Sequence, residues 1–371
     1  MMRPTIATIH LDALRHNLEV ARHKAGRARV MAMLKANAYG HGLLACASAL
    51  AQADGFGVIE LDAALELRNS GWRKPILLLD GYYESREIRT FFDDDLTPTL
   101  HCQEQIDMLA AFPASGRLEV FLKINSGMNR LGFDVAVVPA VLEQLRAIRC
   151  VSRIVFMTHF GCADGERGIG FQTDRLARIA VTPDAWSMAN SAALIAHPQA
   201  GDDIVRPGIM LYGSTPLEGK SADMLDLAPA MTLESRIIGV QTLSRGEVVG
   251  YGATYQCPSP MRIGIVACGY GDGYPRHAGT GAPVGVDGRI ARTVGRISMD
   301  KLAIDITHLP DARVGTRVEL WGKSVSVDRV AEHAGTSGYE LLSAVTARVP
   351  RVTSDTGPRD TYRPAIATYC H

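Results

Sequence analysis

Lys35 closes an apolar run, Val30-Met31-Ala32-Met33-Leu34, and opens a loop, Ala36-Asn37-Ala38-Tyr39-Gly40-His41-Gly42, with a tyrosine and two glycines. The run is rich in β-formers and predicts a buried strand. Lysine is almost never fully buried without a partner, so a strand that delivers one from its end loses stability unless the amine has a task. One task suits the setting: a Schiff base to a carbonyl cofactor or substrate, made by an amine whose pKa burial has lowered. The competing reading is a strand that reaches the surface and leaves its lysine in water.

Other reactive side chains occupy comparable places. Apolar runs at 29–34, 55–59, 76–79, 96–100, 118–124, 153–158, 185–189 and 203–205 predict strands. The fifth runs into Lys123-Ile124-Asn125-Ser126-Gly127-Met128-Asn129-Arg130, and the sixth ends in Thr158-His159-Phe160. The seventh ends in Asn190-Ser191 and the eighth in Arg206-Pro207-Gly208. Singly, each has an ordinary reading, His159 as a satisfied structural residue and Ser191 as a helix N-cap. At one end of consecutive parallel strands they converge on a single mouth. Ser191 would open a helix whose free N–H groups face an anion. Gly208 would let the backbone approach it closely, and Tyr39 would add a phenolic donor. A lysine for a Schiff base plus a phosphate cradle is what pyridoxal phosphate requires.

The elements that must position these groups are also legible. Between most of the runs lie stretches with helical spacing. Asp12 is expected as an N-cap, with Leu14, Leu18 and Ala21 on one face. The segment 61–70 stops before Gly71, and 103–112 and 172–181 behave similarly. Eight strand-then-helix units over residues 11–226 predict a parallel (β/α)8 TIM barrel, whose active site lies at the C-terminal ends of the strands. An open doubly wound sheet would normally carry a glycine-rich fingerprint after its first strand, which Lys35-Ala36-Asn37-Ala38-Tyr39 is not. Residues 227–371 read as a second, mainly β domain, joined by the strand within residues 1–10. Its β-rich runs are separated by Gly, Pro and Asp turns, and Asp287-Gly288 marks a tight hairpin. The Asp93-Asp94-Asp95 run reads as a solvated loop.

At 371 residues the chain is too long for most single cores. Hydrophobic residues make up 47% and charged residues 21%, an ordinary globular balance. The 39 basic and 39 acidic residues cancel, so charge gives no reason to expect nucleic acid or an anionic membrane as partner. Seven scattered cysteines without a Cys-x-x-Cys pair suit reduced thiols in a cytoplasm better than disulfides or a zinc site, and no metal is expected. No apolar run reaches transmembrane length.

The motifs then carry a resemblance. Lys-Ala-Asn-Ala-Tyr-Gly-His-Gly (35–42), Ser-Gly-Met-Asn-Arg-Leu-Gly (126–132), Arg-Pro-Gly-Ile (206–209), Gly-Tyr-Gly-Ala-Thr-Tyr (250–255), Gly-Tyr-Gly-Asp-Gly (269–273) and Gly-Arg-Ile-Ser-Met-Asp (295–300) resemble those of bacterial alanine racemases, in order and across both domains. The resemblance implies a pyridoxal phosphate enzyme that interconverts L- and D-alanine, supplying D-alanine for peptidoglycan or degrading it. It implies that Lys35 holds the cofactor and serves as one catalytic base. Tyr39, Ser191 and the Gly208-Ile209 backbone resemble the phosphate ligands, and Asn190 adjoins them. Arg206 is placed like the arginine that faces the pyridine nitrogen, and Arg130 like the one near the substrate carboxylate. Lys123 matches a lysine that is carbamylated in many members. Tyr251 matches the second base, supplied by the partner subunit of a homodimer. Tyr270, Met299 and Asp300 match substrate-pocket residues, the last two also from the partner, and His159 resembles the histidine linking Tyr251 to Arg206.

Racemisation takes the Cα proton from one face and returns one to the other, so two bases on opposite faces are the simplest solution. Lysine and tyrosine both have reference pKa values of about 10 and need help from their surroundings to act near neutrality. An arginine at the ring nitrogen cannot readily protonate it, which is expected to suppress transamination. Two positions depart from the family pattern. Ala347 stands where many members have a phosphate-contacting tyrosine, and Ser298 where others often have cysteine. Without the resemblance, Tyr251 and Tyr270 read as ordinary turn aromatics. The rival readings are a racemase of wider specificity for serine or basic amino acids, a non-catalytic pyridoxal phosphate-binding barrel, and a decarboxylase. The β domain argues against the second and Arg206 against the third.

Overall fold

The computed structural model describes residues 3–355; Met1, Met2, the last stretch of the β domain (356–371) and Cys370 lie outside the described residues. The chain begins with strand β1 (Ile6–His10) and helix α1 (Leu11–Ala25). Eight parallel strands then form the barrel: β2 (Arg29–Met33), β3 (Gly55–Val58), β4 (Ile76–Leu78), β5 (Thr97–Leu100), β6 (Leu118–Asn125), β8 (Val151–Met157), β9 (Ala185–Ser187) and β10 (Ile204–Val205). A two-residue strand, β7 (Phe133–Asp134), adds to β6 and was not anticipated. The sheet runs β10-β2-β3-β4-β5-β6-β8-β9, and β10 meets β9 where the Asp203 N–H donates to the Trp186 carbonyl at 3.0 Å. The barrel is thus nearly closed, as the eight alternating units imply.

Three helix boundaries differ from expectation. The N-cap position of α1 is His10, without a side-chain cap bond, and Asp12 lies in the first turn, where its charge favours the helix dipole. The helix expected over 172–181 is α8 (Gly170–Leu176). Asn190, not Ser191, caps α9 (Ser191–Ala196): its Oδ1 accepts from the Ala193 N–H at 3.0 Å.

The second domain is an antiparallel sheet built around β11 (Met231–Leu243). A small ribbon, β12 (Val248–Val249) and β13 (Tyr255–Gln256), precedes β14 (Met261–Val266). The remaining strands are β15 (Pro283–Val286), β16 (Arg289–Val294), β17 (Leu302–Asp305), β18 (Arg317–Trp321) and β19 (Arg351–Ser354). The order is β14-β17-β16-β15-β18-β11-β1-β19, and the long β11 also pairs β14, so six strands close a circuit. Asp287 and Gly288 take φ of 44° and 79° between β15 and β16, the left-handed pair the predicted tight hairpin requires. β1 pairs antiparallel with β11 (Ile6 opposite Glu234) and parallel with β19 (Ala7 opposite Arg351). One apolar core runs from the barrel through this interface to Trp321, Tyr274 and Leu341. No helix of the described residues is long and apolar enough to cross a membrane.

Candidate active site

A cavity of about 580 Å³ opens at the C-terminal ends of the barrel strands. Lys35, Lys123, Arg130, His159 and Arg206 all face it, and so do Tyr39, Asn190, Ser191, Gly208 and Ile209.

Lys35 leaves β2 into a left-handed turn. Ala36, Asn37, Ala38 and Tyr39 have φ between 52° and 54°, and none is glycine. Each such residue costs roughly 1–2 kcal/mol, so the turn persists only because its surroundings impose it. Asn37 Oδ1 accepts from the Leu43 N–H at 2.8 Å. His41 is fully enclosed and donates from Nδ1 to the carbonyls of Tyr39 (2.9 Å) and Ala38 (3.1 Å). The second domain holds the turn from outside. Arg351 donates to the Gly40 carbonyl at 2.7 Å, and a Cβ on Gly40 would lie 2.1 Å from the Leu342 carbonyl oxygen. Gly40, at φ 81°, is therefore required by both conformation and contact.

The electrostatics follow from four cations around one partly enclosed space. Burial lowers the Lys35 pKa, and Arg130 lowers it further, while Asp80 opposes both. The same factors bring Lys123 down to about 8. His159 is pushed to about 3 by burial and by Arg206, Arg130 and both lysines, so it is neutral. Its Nε2 then accepts from Asn190 Nδ2 at 3.2 Å. Arg206 is buried and brought to about 10, lower than expected for an arginine but still cationic at neutral pH. It donates to Ser187 Oγ (2.5 Å), the Thr158 carbonyl (2.6 Å) and the Met188 carbonyl (3.3 Å), which fixes its guanidinium.

On another wall the donors are neutral. Ser191 Oγ accepts from the Gly208 N–H at 2.8 Å, which leaves its own hydrogen free to donate into the cavity. The Ile209 N–H opens a 3-10 turn and has no acceptor within it. A Cβ on Gly208 would lie 2.4 Å from Tyr39 Oη, so only glycine fits there. Tyr39 stacks on Tyr212 at 4.7 Å, and Tyr212 Oη donates to the Met33 carbonyl at 2.8 Å. Burial raises the Tyr39 pKa and keeps it a protonated donor. This set fits pyridoxal phosphate: an amine for the aldehyde, a fixed cation for the ring, and unpaired donors for the phosphate.

A buried network sets the exits of β6 and β8. Gln172, wholly enclosed on α8, donates to Ser126 Oγ (2.7 Å) and the His159 carbonyl (3.0 Å) and accepts from the Gly161 N–H (2.8 Å). Ser126 Oγ also bonds Thr158 Oγ1 at 2.7 Å. Sequence reading did not single out Gln172, Ser187 or Asp80. Asp80 follows a strand end, and that rule could have found it.

Tyr251, Tyr270, Met299 and Asp300 are not at this cavity. They lie exposed on the β domain, Tyr251 at 73% and Met299 at 53%. The loops carrying the last three are tied together: Arg348 donates to Asp272 Oδ1 (2.7 Å) and Asp300 Oδ1 (2.9 Å), and Arg3 to Asp272 Oδ1 (2.6 Å). Ala347 is exposed and does not line the cavity.

Comparison with known proteins gives one answer. The model for the N-terminal domain of alanine racemase matches residues 9–216, and that for the C-terminal domain matches residues 230–353. The alanine racemase of Nitrosospira multiformis is 51% identical over 95% of this chain and 100% of its own. The catabolic alanine racemase of Salmonella typhimurium is 49% identical, again over 95% and 100%. The crystal structure of the biosynthetic alanine racemase from Pseudomonas aeruginosa superposes with a TM-score of 0.93 at 47% identity, covering 95% of this chain and 100% of that one. The two domain models together span most of the chain and the fold matches that of the solved relative, so the chain belongs to the alanine racemase family of isomerases.

Proposed function

We propose that the chain interconverts L- and D-alanine with pyridoxal phosphate, as a homodimer in which each subunit completes the other's site. The observation that carries this is Lys35, a partly enclosed amine with a lowered pKa on a cavity whose opposite needs, a fixed cation and free anion-binding donors, are both met. When bound, the cofactor supplies a conjugated ring that delocalises the electron pair left as the Cα–H bond breaks.

The chain's residues do the rest. Lys35 holds or releases the proton on one face of Cα, and the strained turn keeps its stem on that face. Tyr251 of the partner subunit serves the other face, which accounts for a tyrosine standing exposed outside its own cavity. Arg206 sets a permanent positive charge where the ring nitrogen would lie, which discourages ring protonation and side reactions. Arg130 takes the substrate carboxylate. Lys123, at about 8, has a neutral fraction able to take up carbon dioxide as a carbamate and so restrain Arg130. Tyr270, Met299 and Asp300 of the partner subunit close the substrate pocket. Enantiomers have equal free energy, so the direction of flux is set by which one the cell consumes. The six described cysteines are free thiols, which suits the cytoplasm.

The test is the circular dichroism of L-alanine incubated with purified protein, alongside Lys35→Ala. Decay of the signal to zero with the wild type and none with the variant is expected. A visible cofactor band without decay would refute the activity and send the search to serine, lysine and arginine.

A further inference from the structure

We propose that Asp202, which lies outside the lining of the cavity, is a positioning residue for Arg206 and supplies its counter-charge. This rests on the pyridoxal phosphate reading above, in which Arg206 faces the cofactor ring. Arg206 is a buried cation whose hydrogen-bond partners are all neutral: Ser187 Oγ and the carbonyls of Thr158 and Met188. Ser187 Oγ donates its own hydrogen to the Ile204 carbonyl at 2.8 Å, so toward the arginine it is an acceptor. An enclosed guanidinium loses free energy among neutral acceptors unless the charge of a carboxylate reaches it. Among the described residues, Asp202 is the carboxylate whose charge does so.

The backbone between the two groups joins them. Asp202 Oδ1 accepts from the Met188 N–H and from the Ala189 N–H, the latter at 3.0 Å. On the far side of the same two residues, the Met188 carbonyl accepts from the Arg206 side chain at 3.3 Å, and the Ala189 carbonyl from the Arg206 N–H at 2.9 Å. The exit of β9 is thus gripped by a carboxylate on one side and by Arg206 on the other. Asn190 and Ser191 come next in the chain, so the same grip aims the cap of α9 and the Ser191 hydroxyl. Asp203 anchors the approach. Its N–H donates to the Trp186 carbonyl at 3.0 Å, and its Oδ2 accepts from the Trp186 N–H at 2.8 Å. Its carbonyl accepts from the N–H of Arg29, at the start of the strand that leads to Lys35, at 2.9 Å.

The charge on Asp202 is held against the interest of stability. Burial pushes its carboxyl up and Asp203 adds to this, while the N–H groups of Met188 and Ala189, and Arg206, pull it down. The net direction is upward, so the folded chain binds that proton more readily than the unfolded one, and ionisation at neutral pH is destabilising. A neutral acceptor would satisfy both N–H groups without that loss. What the carboxylate alone supplies is negative charge beside Arg206, which Lys35 and Lys123 repel across the cavity while His159 stays neutral.

The experiment uses holoprotein carrying carbon-13 at the arginine Cζ. The Arg206 resonance is located by its loss in Arg206→Lys and followed, together with the visible cofactor band, from neutral pH to about pH 11. Asp202→Asn keeps an oxygen for the two N–H groups and removes the charge; Asp202→Ser, with a shorter acceptor, replaces it if the first variant does not fold. The Arg206 midpoint, near 10 in the wild type, should fall by about one pH unit, and the alkaline change in the cofactor band should move with it. The melting temperature at neutral pH should not fall. An unmoved midpoint overturns the counter-charge, and an unmoved midpoint with a lowered melting temperature assigns Asp202 to the fold alone. A shifted midpoint with an unmoved band overturns the link to the ring. A wild-type protein that takes up no pyridoxal phosphate overturns the cofactor reading itself, and the assignment with it.

Discussion

Combining a Lys35→Ala chain with a Tyr251→Phe chain should restore activity that neither has alone. Lys35 lines its own subunit's cavity, while Tyr251 stands 73% exposed and outside it. If Tyr251 serves the partner's cavity, a hybrid dimer holds one site with both defects and one with none. Each purified hybrid should then have about half the wild-type turnover, and an unfractionated equal mixture, in which half the dimers are hybrids, about a quarter. The two chains would be co-expressed with different affinity tags and the hybrid isolated on both. Alanine racemisation is read by circular dichroism, and dimerisation by sedimentation. A hybrid no more active than its parents would refute the shared site. So would full activity in a species that sediments as a monomer.

Three further outcomes follow from the geometry. Lys123 has its folded pKa near 8 against an ordinary 10.5, so the unfolded chain binds more protons and stability rises with pH across that window; Lys123→Met should stabilise the apoprotein at pH 7 by up to about 3 kcal/mol, a gain that fades toward pH 10.5 in thermal unfolding. Gln172→Leu leaves the Ser126 hydroxyl, the His159 carbonyl and the Gly161 N–H without their partner and should cost about 2–4 kcal/mol in denaturant unfolding, with a raised KM through the Arg130 loop. Ala36→Gly relieves a left-handed non-glycine residue and should raise the melting temperature by a few degrees, roughly 1 kcal/mol, while lowering kcat as Lys35 loosens.

The strand-end rule explains what could be read directly. In a parallel barrel it turns spacing into position, so the sequence alone assigns Lys35, Lys123, His159, Ser191 and Arg206 to one mouth. The left-handed turn after Lys35 was not legible, because Ala36 and Ala38 give no local signal for it and part of what imposes it, Arg351 and Leu342, lies some 300 residues away. Gln172 resembles any polar residue on a short helix, and only the packing of α8 shows it enclosed. Asn190 took the capping role expected of Ser191, since either side chain can cap and only the backbone turn decides which does. Tyr251, Tyr270 and Met299 needed the family motifs, because exposed apolar side chains in turns have no distinguishing pattern of their own.

β1 belongs to one sheet by pairing and to the other domain by its place in the chain. Its partners are β11, which begins at Met231, and β19, which ends at Ser354. On the ribosome, the first strand must therefore wait, unpaired, while the whole barrel is made. The barrel can collapse on local contacts as it emerges, but the sheet that clamps the Lys35 turn cannot be completed until the last described strand is out. Chains truncated before that point carry an open strand edge and a slack lysine turn, marking them for chaperones or proteases rather than for catalysis.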